Sequence, residues 1–279
     1  MNNILSFEQE WTRKVPKRPQ LLRYMRVAIG TEELQWSDMT KLNLSKIRDY
    51  ICESFSGNSA CTYLGEIKAF LAAYAEEGIV PCKSPHRELK ARHVPSQNVY
   101  LTEEEIERIE NYRPKSDCEM DVKASFLIEC YLGARRSDVE KINSDNIVDD
   151  RIVYVSKKTH VECSVPIHRN LLKYLRYKPK KTHDRSVANR TIQRICKSVG
   201  ITDEIRIFYH GKIVKRPKFE FVGSHTARRS FCSNLARRGV DIYTIAALAG
   251  HNQNITMTQR YIIPDVNDLS SEAMSFFNS

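Results

Sequence analysis

The chain has 279 residues, 41% hydrophobic and 28% charged, which is enough apolar material for two cores and argues against wholesale disorder. Lys and Arg number 44 against 34 Asp and Glu, and the net charge of +10 favours a polyanionic partner, of which nucleic acid is the commonest soluble kind. The first hundred residues carry 14 basic against 11 acidic side chains and the remainder 30 against 23, so both parts are positive.

Residues 1–10 lack the basic start and sustained apolar core of a signal peptide, and no apolar run reaches transmembrane length. The eight cysteines form no Cys-x-x-Cys pair, so buried reduced thiols fit better than zinc, and a cytoplasmic location is expected. The first elements read as helices: Pro19–Ile29 stopping at Gly30, Asn43–Cys52, and, after a Ser/Gly turn over Ser54–Ser59, Ala60–Glu77 ending at Gly78. Such a bundle can exist without a site of its own, or can press one helix into a DNA groove. From about Pro81 to Asn98 the periodicity fails in a polar, basic stretch broken by prolines, which reads as a linker.

Thr102 and Glu105 form a capping box, predicting a helix over 103–111, and a second helix is expected over 118–132. Short strand patterns follow at Asn146–Val148, Arg151–Val155 and Glu162–Ile167, the last two joined by the turn Ser156–His160. Helices resume at 169–177 and 187–198, the latter ending at Gly200. Ile205–Tyr209 and Lys218–Val222 are expected to flank His210-Gly211-Lys212 as a second hairpin. Helices at 225–238, 241–249 and 267–276 complete the chain. The fold class is mainly α with small β-hairpins, that is α+β.

Five segments hold side chains suited to phosphate chemistry. Gly133-Ala-Arg135-Arg136-Ser137 sits at a helix junction, with Ser137 a candidate cap paired with Glu140, and a guanidinium there can fork onto phosphate oxygens or remain a surface group. Lys158, with Lys157 as the competing assignment, lies on the first hairpin, either as a solvated turn residue or as a proton donor to a leaving oxygen. His225 and Arg228, three apart at a helix start capped by Ser224, share a face on which an anion can sit. Gly250-His251 ends a helix, with Gly250 fit for a left-handed turn and His251 either donating to a phosphate or packing on a neighbour. Tyr261 lies ten residues on. An unperturbed phenol, with a pKa of about 10, is a poor nucleophile at neutral pH, and surrounding cations lower that barrier. Tyr131 and Tyr243 fall in apolar patterns and read as core.

In this order and approximate spacing, the arginine box, hairpin lysine, His-x-x-Arg, Gly-His and late tyrosine resemble the tyrosine recombinase (phage integrase) family. Residues 101–279 carry the resemblance; His225-Thr-Ala-Arg-Arg-Ser-Phe231 and the hairpin before it look like integrases of Bacteroides-type mobile elements. Leu132 stands where the family often has Thr, and Asp138 where Glu is common. The resemblance implies a helical SAM-like core-binding domain over 1–82, a linker over 83–100 and a catalytic domain over 101–279, the two domains clamping duplex DNA. It implies catalytic roles for Arg135, Lys158, His225, Arg228, His251 and Tyr261 in site-specific cleavage and rejoining through a 3′-phosphotyrosine, with no metal or other cofactor. It also implies double-stranded DNA as partner and a tetramer on two sites, with an amphipathic segment Asp268–Phe277 docking into a neighbour. A type IB topoisomerase and a non-catalytic DNA-binding regulator on the same fold are the alternatives.

Overall fold

The computed structural model describes residues 5–92, 99–177, 183–209, 212–251 and 255–263. The chain divides into two compact units, Met1–Ser96 with Phe208–Val214, and Gln97–Ile207 with Lys215–Ser279. Among the described residues, no helix is long and apolar enough to cross a membrane. All eight cysteines are free, five of them buried.

The described residues 5–92 of the first unit are helical. Helix α1 (Phe7–Lys14) has a capping box that the sequence reading passed over: Ser6 Oγ accepts from Gln9 N, and Gln9 Oε1 accepts from Ser6 N. It buries Phe7 and Trp11 completely. Helix α2 (Gln20–Ile29) stops at Gly30, whose φ of 76° is the left-handed cap expected there. Helix α3 spans Lys41–Ser54, and α4 spans Gly57–Glu76. The start of α4 lies three residues before the expected Ala60, because Ser56, inside the expected turn, is its N-cap and accepts from Ser59 N. In the stretch read as featureless linker, Pro85–Glu88 forms the short helix α5, and Leu89, 3% exposed, joins the core of this unit. Pro85 breaks the pattern on paper yet starts a turn of helix, since a first-turn residue needs no N–H partner.

One carboxylate lies inside this aromatic core. Glu10, 5% exposed, accepts from Tyr74 Oη at 2.5 Å and pairs with Arg13. Hydrogen bonds from Arg13 and then Tyr74 outweigh burial and hold its pKa down to about 2.

The second unit is built on α7 (Asp117–Leu132), which buries most of its circumference. Before it comes α6 (Glu103–Asn111), whose box is as expected: Thr102 Oγ1 accepts from Glu105 N and Glu105 Oε2 from Thr102 N. After it come the one-turn helix α8 (Arg136–Val139) and a three-stranded antiparallel sheet, β1 (Ile147–Val148), β2 (Arg151–Val155) and β3 (Glu162–Pro166), in that order. The register pairs Ile152 with Val165 and Tyr154 with Cys163, all four buried, so every second residue faces the core. Helices α9 (Leu171–Tyr177) and α10 (Arg185–Ser198) also pack on α7.

The second hairpin differs from expectation. Its strands are β4 (Glu204–Tyr209) and β5 (Lys212–Pro217), so Lys212 belongs to a strand, and Lys218–Phe221, expected as the return strand, is a 3₁₀ turn. Pro217 has no N–H to continue a ladder, which ends pairing there. Helices α11 (Ser224–Arg237), α12 (Ile242–Leu248) and α13 (Ile255–Gln259) follow, with α11 packed on α7. The expected helix at 267–276 lies outside the described residues.

Candidate active site

Arg135 is the N-cap of α8, with extended backbone. The expected cap, Ser137, lies inside the helix, and Glu140 is its C-cap. Gly133, at φ 62°, ends α7 two residues earlier, and the turn leads Arg135 out between α7 and α8. Its Nη1 donates to Ser156 Oγ at 2.9 Å, and Ser156 Oγ donates to Asp138 Oδ2 at 3.2 Å. Asp138 Oδ1 also accepts from Lys157 N at 3.0 Å. Ser156 and Asp138 are 1% and 3% exposed, so the relay holding Arg135 is shielded from water.

Arg228 lies on α11 and is 1% exposed. Nη1 donates to Gly133 O at 2.5 Å, and Nη2 donates to Ala249 O. Gly133 and Ala249 are the C-caps of α7 and α12, so one guanidinium satisfies carbonyls at the negative ends of two helices. Its Nε is buried without a partner. Burial, then the neighbouring Arg135, pulls its pKa below the usual arginine range. His225, three residues earlier, was expected to aim at the same point. An offset of three residues turns 60° about a helix axis, and here it separates a buried side chain from an exposed one. Crowding by protein atoms, then Arg185, Arg229, Arg228 and Arg135, lowers the pKa of His225, which favours the neutral, proton-accepting ring.

Gly250 has φ 63°, the left-handed turn expected. A Cβ there would come within 2.5 Å of Cys163 Sγ. His251 points inward, as in the packing alternative: it is 1% exposed, and Nδ1 shares a hydrogen bond with Thr258 Oγ1 at 2.9 Å. Nε2 is buried without a partner. Burial, then Arg228 and Arg135, pushes the ring's pKa down to about 3, so it is neutral at physiological pH. In the tautomer where Nδ1 accepts from Thr258, the ring proton sits on Nε2 and can donate a hydrogen bond to an anion.

Tyr261 is half-buried just beyond α13. Its N–H donates to Thr258 O at 2.8 Å, and Ser233 Oγ donates to its carbonyl at 3.2 Å. Its ring centre lies 5.0 Å from that of His251, 5.2 Å from the Arg228 guanidinium carbon and 5.9 Å from that of Arg229. Lys158 is exposed on the Ser156–His160 turn, and among the described residues no hydrogen bond or ion pair joins it to the other five. The turn itself is fixed on both sides of Lys158, by Lys157 N to Asp138 and by Thr159 Oγ1 to Gly250 O at 3.2 Å.

Arg135, Arg228, His251 and Tyr261 therefore converge, His225 feels the field of both arginines, and Lys158 stands at the rim on a tethered turn. Ser156, Thr258, Ser233 and Arg229 were not foreseen. Only Arg229 left a signal, as the second basic residue of Arg228-Arg229. Tyr243, expected in the core, is 67% exposed near the start of α12, where Ile245 takes the inward position. Tyr131 is half-buried, stacked on His168 and donating to Glu110 Oε2 at 2.8 Å.

A sequence profile described as the Phage integrase family matches residues 99–267, more than half of the chain. The chain belongs to the phage integrase family. Among relatives of this integrase-family chain, tyrosine recombinase XerC of Rickettsia prowazekii (strain Madrid E) is 25% identical over 234 residues, covering 79% of this chain and 73% of that protein. XerC of Rickettsia rickettsii (strain Sheila Smith) is 24% identical over 235 residues, with the same coverage. A lambda integrase dimer bound to a COC′ core site superposes with a TM-score of 0.64 at 16% identity, over 91% of this chain and 92% of that one. The Tn1549 transposon integrase, in complex with a circular intermediate DNA, gives 0.64 at 13% identity, over 98% and 99%. At such identities the structural likeness concerns the fold, here the mainly helical integrase fold with small antiparallel sheets.

Proposed function

We propose that this integrase-family chain is a tyrosine-type site-specific DNA recombinase. The observation that carries the reading is a pair of buried, unpartnered nitrogens, Arg228 Nε and His251 Nε2, beside the ring of Tyr261. An orphaned buried donor costs about 1–3 kcal/mol, and an arriving anion relieves both at once. A backbone phosphate is the anion that a +10 chain meets on duplex DNA.

In the proposed reaction Arg135, Arg228 and His251 hold the non-bridging oxygens of one phosphate. Tyr261 Oη attacks phosphorus, a 3′-phosphotyrosine bond forms, and the P–O5′ bond breaks. Lys158 gives a proton to the leaving 5′ oxygen, and neutral His225 takes the phenolic proton. A 5′ hydroxyl of a partner strand reverses the step, and the bond energy is conserved in the phosphotyrosine. Double-stranded DNA is the substrate and a tetramer on two sites the working assembly. A solved lambda integrase tetramer bound to a Holliday junction and a XerH recombinase in a post-cleavage complex with its palindromic substrate support this reading. The first unit is proposed as the core-binding domain, and the cytoplasm as the location.

The test is covalent capture. Nicked duplexes from a random-sequence library are incubated with the chain and with Tyr261→Phe, and detergent-resistant adducts are sequenced. The wild-type chain should enrich a defined site and Tyr261→Phe should yield no adduct. Adducts that persist in Tyr261→Phe would sink the proposal.

A further inference from the structure

Among the described residues, Arg228 beside Tyr261 is held by two backbone carbonyls, whereas Arg229 is held by none. Arg229 follows it on α11, and its guanidinium carbon sits 5.9 Å from the centre of the Tyr261 ring. Its Nε is buried, with no hydrogen-bond partner. Among the described residues it makes no ion pair. A buried guanidinium nitrogen left without an acceptor is an unfavourable arrangement. The Tyr261 ring lies within cation–π range of it.

Resting on the reading of Tyr261 as nucleophile, we propose that Arg229 is a positioning residue for it: its guanidinium holds the ring in place and stabilises the phenolate that forms as the phenolic proton leaves.

Three observations favour this. Arg228 cannot move freely to follow the phenol, because its Nη1 and Nη2 are tied to Gly133 O and Ala249 O. Arg229 has no such ties, so its charge can follow the oxygen. Burial lowers the pKa of Arg229, and the neighbouring Tyr261 opposes that shift. The Tyr261 backbone is pinned by Thr258 O and Ser233 Oγ, so a cation on the ring face restricts the remaining side-chain rotation.

The charged and titratable groups facing Tyr261 come from three elements. Arg228 and Arg229 come from α11, and His251 from the turn after α12. Arg135, at the start of α8, acts on Arg228 and His251. His251 is neutral down to about pH 3, so above that the positive charge at the ring comes from arginines alone. Removing one of them takes away positive charge that stabilises phenolate.

Two measurements test this, one of them independent of catalysis. In the first, phenolate absorbance is titrated for the Arg229→Met and Arg229→Lys chains, each against its Tyr261→Phe counterpart, so that the difference reports Tyr261. Arg229→Met should move the Tyr261 ionisation to higher pH, and Arg229→Lys should restore most of the shift. In the second, single-turnover adduct formation on the captured duplex is followed against pH. Arg229→Met should be slower by about tenfold near neutrality and approach the wild-type rate as pH rises, with DNA affinity unchanged. Arg229→Gln serves as the second neutral variant if Arg229→Met does not fold. An unmoved phenolate titration, or a rate deficit that is the same at every pH, overturns the role of Arg229 while leaving the recombinase reading intact. An adduct that survives Tyr261→Phe overturns the recombinase reading instead, and the absorbance titration still decides whether Arg229 governs that phenol.

Discussion

Arg228 Nη1 donates to the carbonyl of Gly133 at 2.5 Å, joining residues 95 apart in the chain. The bond exists because Gly133 takes a left-handed turn, at φ 62°, under the ring of Phe231. A Cβ at position 133 would lie 2.3 Å from Phe231 Cδ1. Gly133→Ala should therefore cost about 2–4 kcal/mol, from left-handed strain and overpacking together. Urea unfolding measures that cost. Adduct formation in the folded fraction should fall further, because the carbonyl anchoring Arg228 has moved.

Tyr261→Phe keeps the ring that Arg228, Arg229 and His251 surround and removes only the hydroxyl. Its stability should stay within about 1 kcal/mol of the parent, and DNA binding should be retained. A Tyr261→Phe chain that loses binding in a gel-shift titration would mean that the phenol serves structure and not chemistry.

Ser156 relays between Arg135 and buried Asp138 at 2.9 and 3.2 Å. Ser156→Ala leaves Asp138 the donation from Lys157 N but frees the Arg135 fork. The expected cost is about 1–2 kcal/mol in thermal unfolding, with a cleavage rate roughly tenfold lower. A rate unchanged on the captured duplex would show that Arg135 needs no such support.

His251 links stability to pH with a definite sign. Its folded pKa is depressed to about 3 from an ordinary 6.5, by burial first and then by Arg228 and Arg135. The unfolded chain therefore binds the proton first. The stability His251 contributes is complete above about pH 6.5 and is lost progressively as pH falls toward 3. Between pH 7 and 5 the wild type should lose about 1–2 kcal/mol more than His251→Asn, read from urea midpoints at each pH.

Glu10 gives the first unit its own acid limit. Its pKa is lowered to about 2, chiefly by hydrogen bonds from Arg13 and Tyr74, so its contribution is present above about pH 4.5 and lost as pH falls toward 2. Glu10→Gln should lower stability at pH 7 by about 1–3 kcal/mol, and that deficit should shrink on acidification. Tryptophan fluorescence, which reports Trp11 and Trp36 of this unit alone, follows it.

Local chemistry made much of this chain legible before any coordinates. The Thr102–Glu105 box, Gly30, Gly78 and Gly200 as helix ends, Gly250 in a left-handed turn, and the strands β2 and β3 depend on neighbours within a few residues, and such signals are written along the chain. Three readings failed for the same local reason: Ser137 and Ser224 sit one or two residues inside their helices, and Pro85 starts a helix in a stretch read as linker. Composition named those residues correctly, but a cap is defined by which backbone turns first. Order along the chain likewise marked Arg135, Lys158, His225, Arg228, His251 and Tyr261 as a set.

What required the tertiary structure was direction and partnership. Arg228 and Arg229 are adjacent in the chain, yet only the packing of α11 on α7 sends the first to two carbonyls and leaves the second with an aromatic ring. His225 and Arg228 share a helix, but the core beneath that helix decides which of them meets water. Sequence spacing determines which side chains can lie on one element; burial and contacts made across 21 to 129 residues decide where they point, and with that their charge state and their chemistry.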